Sequence, residues 1–97
     1  MCNPSEIRVR NETDVDFKDV IVGGEHYGDI KHGATTDYKH WKLAYDISSY
    51  SLTAGAEPIE ARLYDVFGLK PLGEGHFTYV FLFKDGHLRM GAEKDDE

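Results

Sequence analysis

Three carboxylates, Asp14, Asp16 and Asp19, fall close together at the start of an apolar-alternating stretch. Hard oxygen ligands gathered on one loop are what calcium coordinates. The EF-hand spacing is absent, however, and Asp14 and Asp16 serve equally well as turn and outward-face residues. A second group is aromatic: Tyr38, Trp41, Tyr45 and Tyr50 crowd one third of the chain, interleaved with Lys39, His40 and Lys42. On an outer face they would make a ligand-binding platform, stacking a sugar ring or meeting another protein. The competing arrangement, and the expected one, makes Trp41 the central core residue of a β-sandwich with the tyrosines around its rim.

The remaining chemistry is sparse. His26, His32, His40, His76 and His87 are scattered singly, without the paired spacing that brings zinc ligands together. Ser48, Ser49 and Ser51 lie in no nucleophile elbow, and neither Gly23-Gly24 nor Gly73-Glu74-Gly75 opens a phosphate-binding helix. No catalytic residue and no cofactor are therefore expected; a small metal-dependent hydrolase assembled across loops is the least favoured reading. Eighteen carboxylates against eleven lysines and arginines give a formal charge of −7. That balance disfavours nucleic acid, whose phosphates call for clustered Lys and Arg, and anionic membrane surfaces. The single cysteine, Cys2, excludes an intrachain disulfide. If Met1 is foreign to the natural chain, Cys2 stands where a mature bacterial lipoprotein carries its lipid. No apolar run approaches the ~20 residues of a membrane-spanning helix.

The elements that must position these residues are strands. Phe77, Tyr79, Phe81 and Phe83 alternate with Thr78, Val80, Leu82 and Lys84, and a period of two puts the aromatics on one face. Asp85-Gly86 as a type I′ loop then sets Lys84 opposite His87, Phe83 opposite Leu88, Leu82 opposite Arg89 and Phe81 opposite Met90. That register also pairs apolar with apolar side chains. Residues 6–10 alternate as a short strand with one wet face. Between Val15 and Val22 the rhythm slips: Val15 and Phe17 share one parity, Val20 and Val22 the other, so a β-bulge near Lys18-Asp19 is expected. Gly23-Gly24 predicts a tight hairpin, residues 25–30 a strand, and residues 35–53 at least two more. Residues 54–58 read as a loop, 59–67 as a strand, and 68–75 as an irregular connection.

About seven short strands with frequent turn signals give the expected fold class: all-β, a single immunoglobulin-like antiparallel β-sandwich. Residues 1–5 are expected as a flexible leader, 6–92 as the domain, and 93–97 as an acidic disordered tail.

Residues Ile7-Arg8-Val9-Arg10-Asn11, Val15-Asp16-Phe17 and Val20-Ile21-Val22-Gly23-Gly24 resemble the opening of small, uncharacterised bacterial envelope domains. Tyr27-Gly28-Asp29-Ile30, Gly33-Ala34-Thr35-Thr36-Asp37-Tyr38, Thr53-Ala54-Gly55 and Gly75-His76-Phe77-Thr78-Tyr79-Val80 continue the likeness. The resemblance implies an immunoglobulin-like sandwich, usually exported and sometimes lipid-anchored, with no established activity. The resulting expectation is a noncatalytic binding or structural module acting by surface recognition, monomeric or weakly dimeric. Its partner would be another protein or an envelope component, and its location the cell envelope or periplasm rather than the cytoplasm.

Overall fold

Turn chemistry and alternation divide the chain into eight strands, which the computed structural model describes over residues 5–42, 44–45, 47–62 and 71–95. They are β1 (Ser5–Asn11), β2 (Phe17–Val22), β3 (Glu25–Ile30), β4 (Lys39–Trp41), β5 (Tyr50–Ala54), β6 (Glu57–Ala61), β7 (Gly75–Lys84) and β8 (His87–Lys94). They form two four-stranded sheets, ordered β4-β1-β7-β8 and β3-β2-β5-β6. No helix occurs among the described residues, so none is long and apolar enough to cross a membrane.

The sheets face each other across one apolar layer. Ile7, Val9, Phe77, Tyr79 and Phe81 come from the first sheet, and Phe17, Val20, Val22, Ile30 and Leu52 from the second. Phe81 is the hinge of this packing: Phe17 and Tyr50 both meet its ring edge-on, at centroid distances of 6.0 and 4.9 Å. Such edge-to-face pairs add about 0.5–1.5 kcal/mol each beyond the area they bury. The Tyr27 hydroxyl crosses the layer and donates to the Ile7 carbonyl at 2.9 Å.

Two of the sequence expectations are met in detail. The ladder between β2 and its neighbours shifts register between Phe17 and Val20, and Asp19 takes a positive φ of 53°. This bulge turns Phe17, Val20 and Val22 all inward, at 1, 0 and 0% exposure. The β7–β8 hairpin has Lys84 opposite His87, Phe83 opposite Leu88, Leu82 opposite Arg89 and Phe81 opposite Met90, with Asp85 and Gly86 at φ 55° and 79°. Phe83 keeps its parity but is 38% exposed, because β1 pairs only as far as Phe81 and the hairpin runs on beyond it.

Other expectations are corrected. Among the described residues there are eight strands rather than about seven, and the two packed sheets are not wholly antiparallel: β1 pairs with β7 in parallel, from Ser5 opposite Gly75 to Asn11 opposite Phe81. A parallel pair requires a crossover, here the whole of the intervening chain, which leaves no local turn signature. The loop expected at 54–58 is a two-residue turn at Gly55-Ala56, with Gly55 at φ 64° in the first central position. Pro58 belongs to β6, an edge strand, where a missing N–H is tolerated. Of the strands expected in 35–53, β4 has three residues and β5 begins only at Tyr50. Residues 63–67 of the expected strand and 68–70 of the expected connection lie outside the described residues. At the ends, Ser5 opens β1, buried at 1%, while Glu93 and Lys94 complete β8 instead of starting a tail.

Candidate binding surface

The aromatic group is not brought together as a platform. Trp41 is 8% exposed, its Nε1 donates to the Tyr27 hydroxyl at 3.0 Å, and its ring meets Tyr79 edge-on at 5.7 Å. Burial pushes the Tyr27 pKa up to about 12, against the bond from Trp41 that lowers it, so this hydroxyl stays protonated and donating. Tyr50 packs inward on Phe81, and burial raises its pKa against the opposing charge of Arg89. Tyr45 is half-buried beside a bridge to Pro71. Tyr38 lies on the far side of the first sheet from Trp41 and Tyr50.

The acidic group also disperses. Asp14 is exposed, Asp16 accepts from the His32 amide at 3.0 Å, and the Asp19 amide donates to Asp29 Oδ1 at 3.1 Å. Among the described residues no three His, Cys, Asp or Glu side chains are placed to hold a metal ion. Cys2 lies outside the described residues.

What the sheet face does assemble is a polar cluster on the outer side of β1 and β7. Thr78, 0% exposed, donates to Asp95 and accepts from Arg8 Nε at 2.9 Å. Arg8 pairs with Asp95 at 3.3 Å and lies 4.9 Å over the Tyr38 ring, whose hydroxyl also donates to Asp95. Burial raises the Asp95 pKa, but the bonds from Tyr38 and Thr78 and the charges of Arg8 and Arg10 outweigh it and hold the carboxyl below its ordinary value. The folded state therefore holds this proton less tightly than the unfolded chain. Its stabilisation is complete above the ordinary carboxylate range and is lost as pH falls through the lowered value. Asp95→Asn should cost about 1 kcal/mol at neutral pH and flatten the acid-side slope of stability. Urea midpoints from neutral pH down to about pH 2 check this, and an unchanged slope refutes it.

The cluster holds the end of β8 against β7, and β8 is the unusual element. A sheet edge presents unpaired backbone groups, and proteins blunt such edges by shortness, bulges or proline. Of the four edges among the described strands, three are blunted. β4 has three residues. β3 opposes the bulged β2 and carries Gly28 at φ 74°. β6 places Pro58 one residue beyond the closing pair of its hairpin, where the backbone faces outward. In contrast, β8 runs eight residues without proline or a register shift.

Its hydrogen-bond phase is fixed by the bond from the Asp95 amide to the His76 carbonyl, 2.9 Å. Residues in phase with Asp95 (His87, Arg89, Gly91 and Glu93) turn their backbone to β7. Leu88, Met90, Ala92 and Lys94 turn theirs outward. No strand pairs with that side among the described residues. Sequence reasoning assigned Glu93 and Lys94 to a tail, although the alternation Leu88, Met90, Ala92 continues to Lys94, and that β8 ends its sheet follows only from the strand order. Compared with protein-family models, with curated proteins and with solved structures, this chain matches none.

Proposed function

We propose that this chain is a noncatalytic binding module that recognises another polypeptide by adding it as a strand to the outer edge of β8. The observation that carries the reading is the contrast among edges: β8 is long and regular where β3, β4 and β6 are bulged, short or proline-blocked. In strand addition the main chain supplies affinity, and alternate side chains supply selectivity. Leu88 and Met90 lie half-buried toward the core, beside a groove of about 270 Å³ shared with Ile47, Tyr50 and Ala61. A guest strand would therefore meet the apolar Leu88 and Met90 on one face, with Arg62 and Arg89 bordering the groove, and Glu93 on the other face.

The likeness to immunoglobulin-like bacterial envelope domains belongs to this reading, with an exported or envelope location. Two facing four-stranded sheets support it, and the parallel β1–β7 pair is its departure from that plan. Selection of a displayed random-peptide library on the whole protein tests the edge. Ala92→Pro deletes an outward N–H without touching the β7 ladder, and it should abolish capture of selected peptides while the circular dichroism spectrum persists. Peptides that bind the proline variant equally well would refute recognition at β8.

A further inference from the structure

We infer that the strand β8 accepts is a second copy of itself, paired antiparallel across a two-fold axis at Gly91. This rests on the strand-addition reading and names its partner.

The argument is one of charge and phase. Arg89 and Glu93 are exposed at outer-face positions of β8; Arg89 also borders the groove beside Tyr50, and neither makes an ion pair with another described residue. Four residues apart on one strand, they stand about 13 Å from each other and cannot meet within the chain. An antiparallel self-pair must match outward-facing residues with outward-facing residues, which restricts the axis to a residue position. With the axis at Gly91, Met90 opposes the second copy's Ala92, Leu88 opposes Lys94, and Arg89 stands directly opposite Glu93, twice by symmetry.

The neighbouring registers are worse. An axis at Met90 sets Arg89 against glycine. One at Ala92 sets Arg89 against Asp95, whose carboxylate already holds Tyr38, Thr78 and Arg8. Axes at Arg89 or Glu93 put like charges face to face, which is destabilising.

Gly91 suits the axis. The residue there meets its own copy in a non-hydrogen-bonded pair, with Cα atoms ~4.5 Å apart, the closest approach in an antiparallel ladder. The product would be a continuous eight-stranded sheet, β4-β1-β7-β8 followed by its mirror order. It closes as a dimer because the remaining edges are blunted.

Sedimentation equilibrium of the whole chain, with charge exchange at the two positions, is the test. Arg89→Glu alone and Glu93→Arg alone should each weaken the dimer by roughly tenfold or more, since each turns two attractions into repulsions. The double exchange should restore it to within about threefold. In a Cys2→Ser background, Gly91→Cys should form an interchain disulfide under mild oxidation. A Cβ at Gly91 meets nothing within 4 Å, so the variant has room to fold.

A chain that stays monomeric up to about millimolar concentration overturns the second-copy assignment. The strand-addition reading then survives if library peptides are still lost with Ala92→Pro. Dimers indifferent to both the charge exchange and Ala92→Pro overturn the two together.

Discussion

Replacing Asn11 by leucine should cost about 3–5 kcal/mol of folding stability, among the largest losses available to a single polar side chain in this protein. Asn11 is completely buried at the end of β1. Its Nδ2 donates to the Val15 carbonyl at 2.8 Å and the Ile30 carbonyl at 3.0 Å, while Oδ1 accepts from the Thr13 amide at 3.0 Å. One side chain thus fastens the β1 end to the crossover that follows it and to the last residue of β3, in the opposite sheet. Leucine fills comparable space but takes the side-chain partner from the buried Ile30 carbonyl and from the half-buried Thr13 amide, and leaves the Val15 carbonyl only its bond from Thr13 Oγ1 at 3.0 Å. Each lost partner costs about 1–3 kcal/mol. For a domain of this size the loss lowers Tm by about 12–40 °C.

Asn11→Asp separates hydrogen bonding from packing. The carboxylate keeps the acceptor but faces two carbonyl oxygens, so its pKa must rise. The variant should regain stability as pH falls through that raised value, when the acid can donate to one carbonyl. This trend is opposite in sign to the one expected for Asp95. Urea unfolding followed by Trp41 fluorescence reads both variants, and a loss below about 1 kcal/mol for Asn11→Leu would show that water satisfies these groups instead.

Asn11 marks the boundary of what could be read from the chain. Asn11-Glu12-Thr13-Asp14 is legible as a turn, because asparagine and aspartate bond nearby backbone. That the same amide would also reach Ile30 depends on two sheets being stacked. The pattern repeats elsewhere. The bulge at Lys18-Asp19 and the β7–β8 register are legible because parity and turn type are properties of neighbouring residues.

The parallel β1–β7 pair joins residues about seventy positions apart and has no turn to announce it. Thr78 and Val80 share the parity of exposed residues and are nevertheless buried, at 0 and 5%. At Thr78 the cause is visible: Arg8, Tyr38 and Asp95 close over it, and they come from β1, a loop and the chain end. The candidate binding edge was half legible. Its hairpin could be registered, but which strands end as edges follows only from the complete strand order.

Gly23→Ala should cost about 2–4 kcal/mol, and Gly24→Ala only about 1 kcal/mol, although both sit in the same turn with positive φ. At φ 85°, Gly24 has nothing within 4 Å of an added Cβ, so its cost is conformational alone. At φ 58°, a Cβ on Gly23 would lie 2.5 Å from Trp41 Cη2, 2.8 Å from Cζ3 and 3.0 Å from Ser48 Oγ. The indole has little freedom to retreat, held by its bond to Tyr27 and by the Tyr79 ring. The overlap therefore adds about 1–3 kcal/mol of packing strain to the backbone cost.

A double-mutant cycle isolates that term. Trp41→Phe removes Cη2 and Cζ3, so in its presence the cost of Gly23→Ala should fall toward that of Gly24→Ala, with the Ser48 Oγ contact at 3.0 Å remaining. Equal costs for the two glycines in the wild-type background would mean that the indole shifts freely. A freely shifting Trp41 would also reopen the stacking-platform reading. An indole that cannot yield to a methyl group is one committed to the core, held there by Tyr27 and Tyr79 and unable to stack a ligand.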